Sequence, residues 1–261
     1  MLYNKAVSFK VCLYSYNKFF KQSIGFYVFS NLKNIIRVWC GSSTINIILC
    51  DYYIHFVIRR MKKLPLKFYK RKDVVAIAKE LIGKIVVTKF DGIVTSGRII
   101  ETEAYVAHVD KASHSFGGRR TAKNEHMFAH PGTAYVYICY GMHQMFNVVT
   151  NEKDIPDAVL VRAIEPLEGI DIMLQRTAKP KLDFTLTKGP GNVGKALGIF
   201  KKHSGLHLRD DEIYLADDGF KLKENEIGIS KRIGVESAFP DSELPYRFYV
   251  RGNKYVSGKN K

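Results

Sequence analysis

Apolar residues follow regular patterns only in the later part of the chain, from about residue 72 onward. The segment 72–83, KDVVAIAKELIG, gathers its apolar residues on one helical face, with Asp73 near the start and Gly83 as a stop. The next two runs, KIVVTKF and GIVTSGRIIETEAYV, are rich in β-branched residues and flank the turn-forming pair Asp91 and Gly92. This pattern predicts a helix followed by two antiparallel strands.

The rest of the chain predicts further strands and helices in a mixed order. GTAYVYICYGMHQMFNVVT predicts two strands about a tight turn near Gly141, and AVLVRAIEP and YRFYVRG each predict one more strand. EGIDIMLQRT and NVGKALGI have helical spacing. Because strands and helices do not alternate regularly, a doubly wound parallel sheet is disfavoured. The pattern therefore favours a mixed α/β fold of the α+β kind.

The first 60 residues differ from the rest in both pattern and charge. They carry eight basic residues and one acid, so their charge is +7, and their apolar residues follow no strand or helix period. Their most apolar stretch, Ile45 to Ile58, is shorter than the roughly 20 residues that a spanning helix needs. We predict that residues 1–60 are an extension, disordered or outside the functional protein, and that residues 61–261, beginning at Met61, are the working domain.

The whole chain of 261 residues is strongly basic, with 41 Lys and Arg against 25 Asp and Glu and a net charge of +16. This excess favours a polyanionic partner, either nucleic acid or an anionic membrane surface. Its 46% of apolar residues excludes wholesale disorder. The four cysteines, at positions 12, 40, 50 and 139, lack paired spacing, and no histidines or carboxylates follow metal-ligand spacing. We therefore expect neither a metal site nor a disulfide scaffold.

The segment RIIETEAY, residues 98–105, carries the first candidates for chemistry. On a strand, alternate residues share a face, so Glu101, Glu103 and Tyr105 should point the same way. Two carboxylates are expensive to bury without partners, so one interpretation is a solvated strand face with a surface ion pair. The other is a carboxylate at the mouth of a pocket, acting as a general base.

The segment 110–120, DKASHSFGGRR, is a polar, glycine-bearing loop that ends in two cations. It suits the binding of a phosphate or of a polar ligand edge, and His114 lies in its middle. If the polyanionic partner is a nucleic acid, Arg119 and Arg120 would hold its backbone phosphates without base specificity. The alternative is an ordinary surface loop.

The predicted hairpin concentrates three tyrosines just before its turn. Tyrosine rings offer flat, half-polar surfaces on which a base can stack. Tyr140, beside Gly141, is predicted at the hairpin tip, where there is little core to join and a ring can act as a wedge between base pairs. Tyr135 is interpreted as an ordinary strand tyrosine, since tyrosine favours strands.

Residues 189–196, GPGNVGKA, match the phosphate-loop pattern GxxxxGK[ST] except at the last position. The pattern requires a hydroxyl there to bind Mg²⁺, and Ala196 has none. Only 65 residues follow, too few for the parallel sheet that such a loop serves. A nucleotide hydrolase is therefore disfavoured, and the glycines are expected to form a turn into a helix.

Together these segments resemble the 3-methyladenine (alkyladenine) DNA glycosylase family. The resemblance runs from about Leu64 to Ser257 and rests on RIIETEAY, ASHSFGGRRT, MFAHPGTAYVYICYGMHQMFNVV, VLVRAIEPLEG, KGPGNVGKALGI, RIGV and RFYVRGNKYVS. It implies a single compact domain with a curved, mostly antiparallel β-sheet, a protruding β-hairpin and surrounding helices. It also implies an enzyme that works without a cofactor.

The resemblance further implies catalytic roles for individual residues. Glu103 matches the general base that holds and deprotonates the attacking water. Arg162 matches the arginine that helps to fix this water, and the backbone carbonyl of Ile233 completes the water site. Cys139, beside the wedge, departs from the aliphatic residue that the family leads us to expect.

The same comparison implies how a damaged base is held. Tyr105, His114 and Tyr137 match the residues that enclose the flipped base, and the main-chain amide of His114 would read the six-position edge of the purine. Asn147 matches the side chain that crowds the two-position amino group of normal guanine. Tyr140 matches the finger that enters the minor groove and fills the vacated space.

The function implied is a monofunctional DNA glycosylase of base excision repair, acting as a monomer on duplex DNA. Its substrates would be 3-methyladenine, 7-methylguanine, hypoxanthine and ethenoadenine, and its product an abasic site. One alternative is a damage-binding module without catalysis; another is a membrane-surface protein acting through residues 1–60, although stable membrane association is not expected. We expect a cytoplasmic protein, nucleoid-associated in a bacterium. Organelle targeting by residues 1–60, which are poor in acid like a transit peptide, is the alternative location.

Overall fold

The computed structural model describes the backbone of Tyr27–Ser30, Ile36–Cys40 and Ser43–Ile47, and the full residues 61–258. The chain divides into two units, Met1–Arg59 and Arg60–Lys261. In the first unit, β1 (Tyr27–Ser30), β2 (Ile36–Cys40) and β3 (Ser43–Ile47) form an antiparallel sheet in that order. Most of the extension, including residues 48–60, lies outside the described residues. Its dispensability, its disorder and the start at Met61 therefore stay predictions.

The described residues of the second unit place nine strands in one sheet. The strands are β4 (Lys62–Lys63), β5 (Ile85–Phe90), β6 (Ile93–Tyr105), β7 (Ala134–Cys139), β8 (His143–Val149), β9 (Ala158–Glu168), β10 (Ile213–Asp217), β11 (Ile227–Ser230) and β12 (Arg247–Val250). Their order is β4-β10-β5-β6-β9-β8-β7, with β12 added to β6 and β11 to β12, and each of these pairings is antiparallel. The sheet is curled into a half-barrel, which confirms the predicted curved, antiparallel α+β fold.

Four short α-helices pack around this sheet in the described part of the chain. They are α1 (Leu66–Tyr69), α2 (Val74–Glu80), α3 (Ile170–Thr177) and α4 (Pro190–Leu197), and they confirm the three predicted helical segments. In α2 the Asp73 carboxylate, placed by the sequence near the helix start, accepts a hydrogen bond from the N–H of Ala76 at 2.8 Å and so caps the helix. The helix buries Val74, Ile77 and Ala78 in the main core. No helix in the described residues has the length and apolarity that a membrane span requires.

The glycines of α4 are explained by close packing on β8. A methyl group at Gly194 would lie 2.3 Å from the backbone oxygen of Gln144, and one at Gly191 would lie 2.6 Å from Nδ1 of His143. Only glycine lets the helix approach the strand this closely. Pro190 occupies the first helical position, where its fixed φ suits helix initiation. The segment that resembles a phosphate loop therefore braces the hairpin formed by β7 and β8.

Strand β6 is the centre of the sheet. It pairs with β5 over its first half, with β12 over its second half, and with β9 along most of its length. The pairing with β9 shifts register on either side of Glu101. Both Glu101 and Glu103 are fully buried, so the interpretation of this strand face as solvated is wrong.

Candidate active site

A cavity of about 600 Å³ opens beside the second half of β6. Its walls come from β6, from the hairpin β7–β8, from β9, from the loop after β6 and from the segment that follows β11. The lining is mainly aromatic and apolar, with few polar side chains, as is usual for pockets that enclose flat ligands. The lining residues with aromatic rings are Tyr105, His114, Phe116, Tyr135, Tyr137 and Tyr140.

Glu103 lies behind this cavity and is held by three donors. Its Oε2 accepts hydrogen bonds from the Tyr105 hydroxyl at 2.9 Å and from Nη1 of Arg162 at 3.2 Å, and its Oε1 accepts one from the Ile233 N–H at 2.8 Å. Each of these three donor residues lines the cavity. A carboxylate offers about four acceptor positions, so three donors leave about one for a further ligand such as water.

The predicted role of Ile233 was to supply its backbone carbonyl. The structure brings that carbonyl to 3.5 Å from Nη1 of Arg162, the same nitrogen that contacts Glu103. The structure also shows a contact that was not predicted, because the Ile233 N–H donates a hydrogen bond to Glu103. Glu103, Arg162 and Ile233 therefore meet at one place, although they come from β6, β9 and the segment after β11.

Burial dominates the electrostatics of this group. It raises the pKa of Glu103, although the Arg162 charge and the hydrogen bonds from Ile233 and Tyr105 act in the opposite direction. Burial and the neighbouring Glu103 charge raise the pKa of Tyr105 well above its usual value, so its hydroxyl stays protonated and donates. Burial alone would lower the pKa of Arg162, but the carboxylates of Glu103 and Glu101 raise it, so the guanidinium stays charged.

His114 lies on the loop after β6 and faces the tyrosines of β7. Its Nδ1 is 3.0 Å from the Tyr135 hydroxyl, and its ring packs edge-on against Tyr137 with centroids 4.5 Å apart. Burial lowers the pKa of His114, which favours the neutral imidazole, and raises the pKa of Tyr135, which keeps that hydroxyl protonated. Tyr135 is therefore more than the strand residue that the sequence indicated, because it fixes the orientation of His114.

Asn147 lies on β8 opposite Tyr135 and is buried at the cavity wall. Its Nδ2 donates to the backbone oxygens of Tyr135 at 3.2 Å and of Met145 at 3.1 Å. These two bonds fix the plane of the amide group. A side chain held in this way presents a rigid surface to whatever enters the cavity.

Tyr140 lies at the tip of the hairpin, between Cys139 and His143, and 88% of its surface is exposed. Its φ of 50° lies in the left-handed region, which residues other than glycine rarely occupy, and Gly141 follows with a φ of 71°. The neighbouring Ile138 and Met142 are also exposed. The hairpin therefore ends in an apolar tip on one rim of the cavity.

The two arginines of the loop differ in their surroundings. Arg120 is paired with Glu125 and, at 2.9 Å, with Asp154, so its charge is already balanced. Arg119 is exposed, and its side chain forms no ion pair within the described residues. The structure thus leaves Arg119 better placed than Arg120 to contact a phosphate.

A buried ion pair that the sequence did not indicate joins the two sides of the cavity. Arg232 pairs through both terminal nitrogens with Asp110, and its guanidinium lies 4.8 Å from the centre of the Tyr105 ring. Asp110 also accepts hydrogen bonds from the N–H groups of Val106 and Ala112, which fix the loop that carries the cavity-lining histidine. Arg232 precedes Ile233, so this pair holds both walls in place.

No group of three or more histidines, cysteines or acids suited to a metal ion occurs among the described residues. The groups that the structure places at the cavity are a buried carboxylate and an adjacent arginine, surrounded by rings.

Comparison with known proteins identifies the family. Residues 67–254 match the family model described as methylpurine-DNA glycosylase. The chain belongs to the methylpurine-DNA glycosylase family. Its members are DNA glycosylases, so this chain is an enzyme of DNA base excision repair that acts on DNA, which confirms the predicted enzyme over a binding module without catalysis.

Individual relatives of this glycosylase are similar over nearly their whole length. A protein of Clostridium perfringens strain 13 is 42% identical over 205 residues, which cover 76% of this chain and 100% of the relative. One from Desulfitobacterium hafniense is 42% identical over 206 residues, with coverages of 76% and 100%, and one from Chlamydia abortus is 44% identical over 188, with coverages of 72% and 97%. All three carry the name 3-methyladenine DNA glycosylase as a provisional assignment.

Proposed function

We propose that this glycosylase flips alkylated or deaminated purines out of duplex DNA and hydrolyses their N-glycosidic bond, leaving an abasic site. The substrates would be 3-methyladenine, 7-methylguanine, hypoxanthine and ethenoadenine. The observation that carries the proposal is the position of Glu103, buried behind an aromatic cavity with one acceptor position left.

In this mechanism Glu103 is the general base. Its free acceptor position takes a hydrogen bond from water, and the Arg162 guanidinium and the Ile233 carbonyl fix the same water from the other side. As the glycosidic bond lengthens, the sugar gains positive charge, which the carboxylate stabilises while it removes a proton from the attacking water. A positioned general base typically contributes about 10²–10⁴-fold.

The aromatic walls account for binding of a flipped purine. Alkylation at N3 or N7 makes the base cationic, and rings such as Tyr105 and Tyr137 attract a cation placed over their faces. The main-chain N–H of His114 forms no hydrogen bond within the described residues, so it is available to the six-position edge of the purine. Asn147, fixed by two backbone carbonyls, would clash with the two-position amino group of guanine.

Tyr140 would insert into the duplex as the base leaves the stack. Extruding a base costs a few kcal/mol, less for a damaged or mispaired one, and an inserted ring offsets part of that cost. The exposed tip suits this role because its ring is not packed in the core. Arg119 would hold a nearby phosphate, so binding should weaken as salt rises.

The product of water attack is an intact strand with an abasic site. Lys111 lies on the cavity wall, and an amine that attacked the sugar would instead lead to strand breakage. Denaturing electrophoresis without alkali separates the two outcomes. Breakage by the wild type that disappears in Lys111→Ala would contradict hydrolysis by water alone.

The experiment that tests the proposal is one panel of duplex oligonucleotides, each with a single lesion, assayed for free base under single-turnover conditions. Glu103→Gln should release base at least about 100-fold more slowly than the wild type while binding the same DNA. Glu168→Gln, which removes an exposed carboxylate at the far end of β9, is the matched control and should keep full activity. Full activity in the presence of a chelator is expected if no metal takes part in the reaction. A monomeric elution volume in gel filtration is expected if the enzyme acts as a monomer.

A further inference from the structure

We propose that Glu101 is a positioning residue for the glycosylase reaction, which acts by fixing the Arg162 guanidinium with the help of Ser257 at the C-terminal end of the fold. This inference rests on the proposed function, in which Arg162 and Glu103 hold the attacking water. It assigns a role to a second buried carboxylate that the mechanism above does not use.

Glu101 accepts hydrogen bonds from three residues, Arg162, Arg247 and Ser257. Its Oε1 accepts from Nε of Arg247 at 2.7 Å, from the Ser257 hydroxyl at 2.8 Å and from Nε of Arg162 at 3.3 Å, and its Oε2 accepts from the Ser257 N–H at 2.8 Å. The side chain is fully buried. Three of these donors are on Oε1 and one is on Oε2, and only one of the residues that supply them, Arg162, lines the cavity, whereas all three donors to Glu103 do.

The guanidinium of Arg162 is planar, so holding one edge of it fixes the direction of the other. Its Nε contacts Glu101 and its Nη2 contacts the Ser257 hydroxyl at 3.3 Å. Its remaining nitrogen, Nη1, points at Glu103 and at the Ile233 carbonyl. Glu101 and Ser257 therefore hold the side of the guanidinium formed by Nε and Nη2, and this fixes the direction in which Nη1 points toward the water site.

The charges explain why a carboxylate is needed at this position. Arg162 and Arg247 are two buried cations, and Glu101 and Glu103 are two buried anions that balance them. Without the charge of Glu101, Arg247 has no ion-pair partner within residues 61–258, and Arg162 keeps only Glu103, so nothing charged holds the Nε side of its guanidinium. In Glu101→Gln, moreover, an amide NH₂ replaces an oxygen that is surrounded by donors.

The segment that ends the fold takes part in this arrangement. Ser257 binds Glu101 through both its N–H and its hydroxyl, and its carbonyl oxygen accepts from Arg247 at 2.6 Å. Ser257→Ala removes only the hydroxyl, leaves both backbone contacts and leaves no charge unpaired. It is therefore a mild variant that loosens the Arg162 guanidinium while the charge balance is kept.

The test measures single-turnover base release, affinity for lesion-containing duplex and the midpoint of urea unfolding for Glu101→Gln and Ser257→Ala. A misplaced catalytic group can slow a reaction by up to about 100-fold. We expect base release to fall by about 10- to 100-fold in Glu101→Gln and by a smaller factor in Ser257→Ala. DNA affinity should stay within about threefold of the wild type in both.

A cycle with Arg162→Gln separates positioning from general support of the fold. If Glu101 acts through Arg162, adding Glu101→Gln to Arg162→Gln should slow base release by less than about twofold more. An equal slowing in both backgrounds, a wild-type rate in Glu101→Gln, or a loss that only follows the folded fraction would overturn the proposal. If Glu101→Gln does not fold, Ser257→Ala and its cycle with Arg162→Gln decide the question by the same criteria.

The outcome for Glu103→Gln keeps this inference apart from the proposed function. Full activity of Glu103→Gln would contradict the proposed function itself. Loss of activity in Glu103→Gln together with a wild-type rate in both Glu101→Gln and Ser257→Ala would refute only the positioning role.

Discussion

Tyr140 is the residue whose replacement separates folding from function most clearly. Its φ of 50° is unfavourable for a residue with a side chain, by about 1–2 kcal/mol, and its ring is exposed. A strained residue that packs against so little contributes little to stability, and such strain is typical of functional positions. We therefore predict the effects of Tyr140→Gly on stability and on catalysis separately.

The stability change follows from two opposing terms. Glycine removes the strain of about 1–2 kcal/mol, but it also gains about 0.4–1 kcal/mol of conformational entropy in the unfolded chain. Little burial is lost, because 88% of the tyrosine surface is exposed. The free energy of unfolding of Tyr140→Gly should thus be unchanged or rise by up to about 1.6 kcal/mol, as measured by urea denaturation.

Catalysis on duplex DNA should fall instead. Stacking of an aromatic ring on a base is worth about 1–3 kcal/mol, which corresponds to a loss of roughly 5- to 150-fold in single-turnover efficiency on duplex with subsaturating enzyme. On a single-stranded oligonucleotide with the same lesion there is no stacked gap to fill, so the loss should be small. Tyr140→Phe is the matched control, since it keeps both the ring and the strain. Equal losses on single and double strands, or wild-type efficiency on duplex, would refute the wedge.

Three further predictions concern DNA binding by Arg119, the protonation of Glu103 and the packing of Gly194. Arg119→Ala should weaken DNA binding and lower the salt slope by about 1, whereas Arg120→Ala, whose charge is already paired, should change it less. Because burial raises the pKa of Glu103, the rate of base release should already decline with falling pH at values above the usual glutamate pKa of about 4.3. A rate that declines only below that pH would contradict this prediction. Gly194→Ala places a methyl group against the Gln144 backbone and should lower the free energy of unfolding by about 1–3 kcal/mol; unchanged stability would contradict the packing argument.

Turns, helices and hairpins could be predicted from the sequence where residues close together in the chain determine the structure. The Asp91-Gly92 turn was predicted from its residues, and both adopt positive φ values, 52° and 77°. The helix α2 begins directly after Asp73, which was placed near its start, and the hairpin turns at Tyr140 and Gly141. The resemblance of the motifs to a known family, confirmed by the comparisons, supplied the enzyme class.

The same patterns were insufficient where a partner lies far along the chain. A solvated strand face was one interpretation of Glu101 and Glu103, because two carboxylates are expensive to bury without partners. Their partners Arg162, Arg247 and Ser257 lie 59 to 156 positions away and meet them only in the folded sheet. The pairing of β6 with β12, which brings Arg247 beside these carboxylates, has no signal in the sequence of either strand.

A strand and a buried ion pair were also not predicted from the sequence. Strand β10, Ile213–Asp217, was not predicted, because its short run is framed by charged residues. The ion pair of Asp110 and Arg232 joins segments 122 positions apart, and neither residue has a local pattern that indicates burial.

The central claim is that Glu103 is the base that activates water for cleavage of the glycosidic bond. The most direct measurement is the single-turnover release of hypoxanthine from a duplex oligonucleotide by Glu103→Gln, at an enzyme concentration that saturates the DNA. Hypoxanthine is a suitable lesion because its neutral base leaves less readily than a cationic one. The account predicts a rate at least about 100-fold below the wild type with DNA binding retained. A rate within a few-fold of the wild type would contradict it.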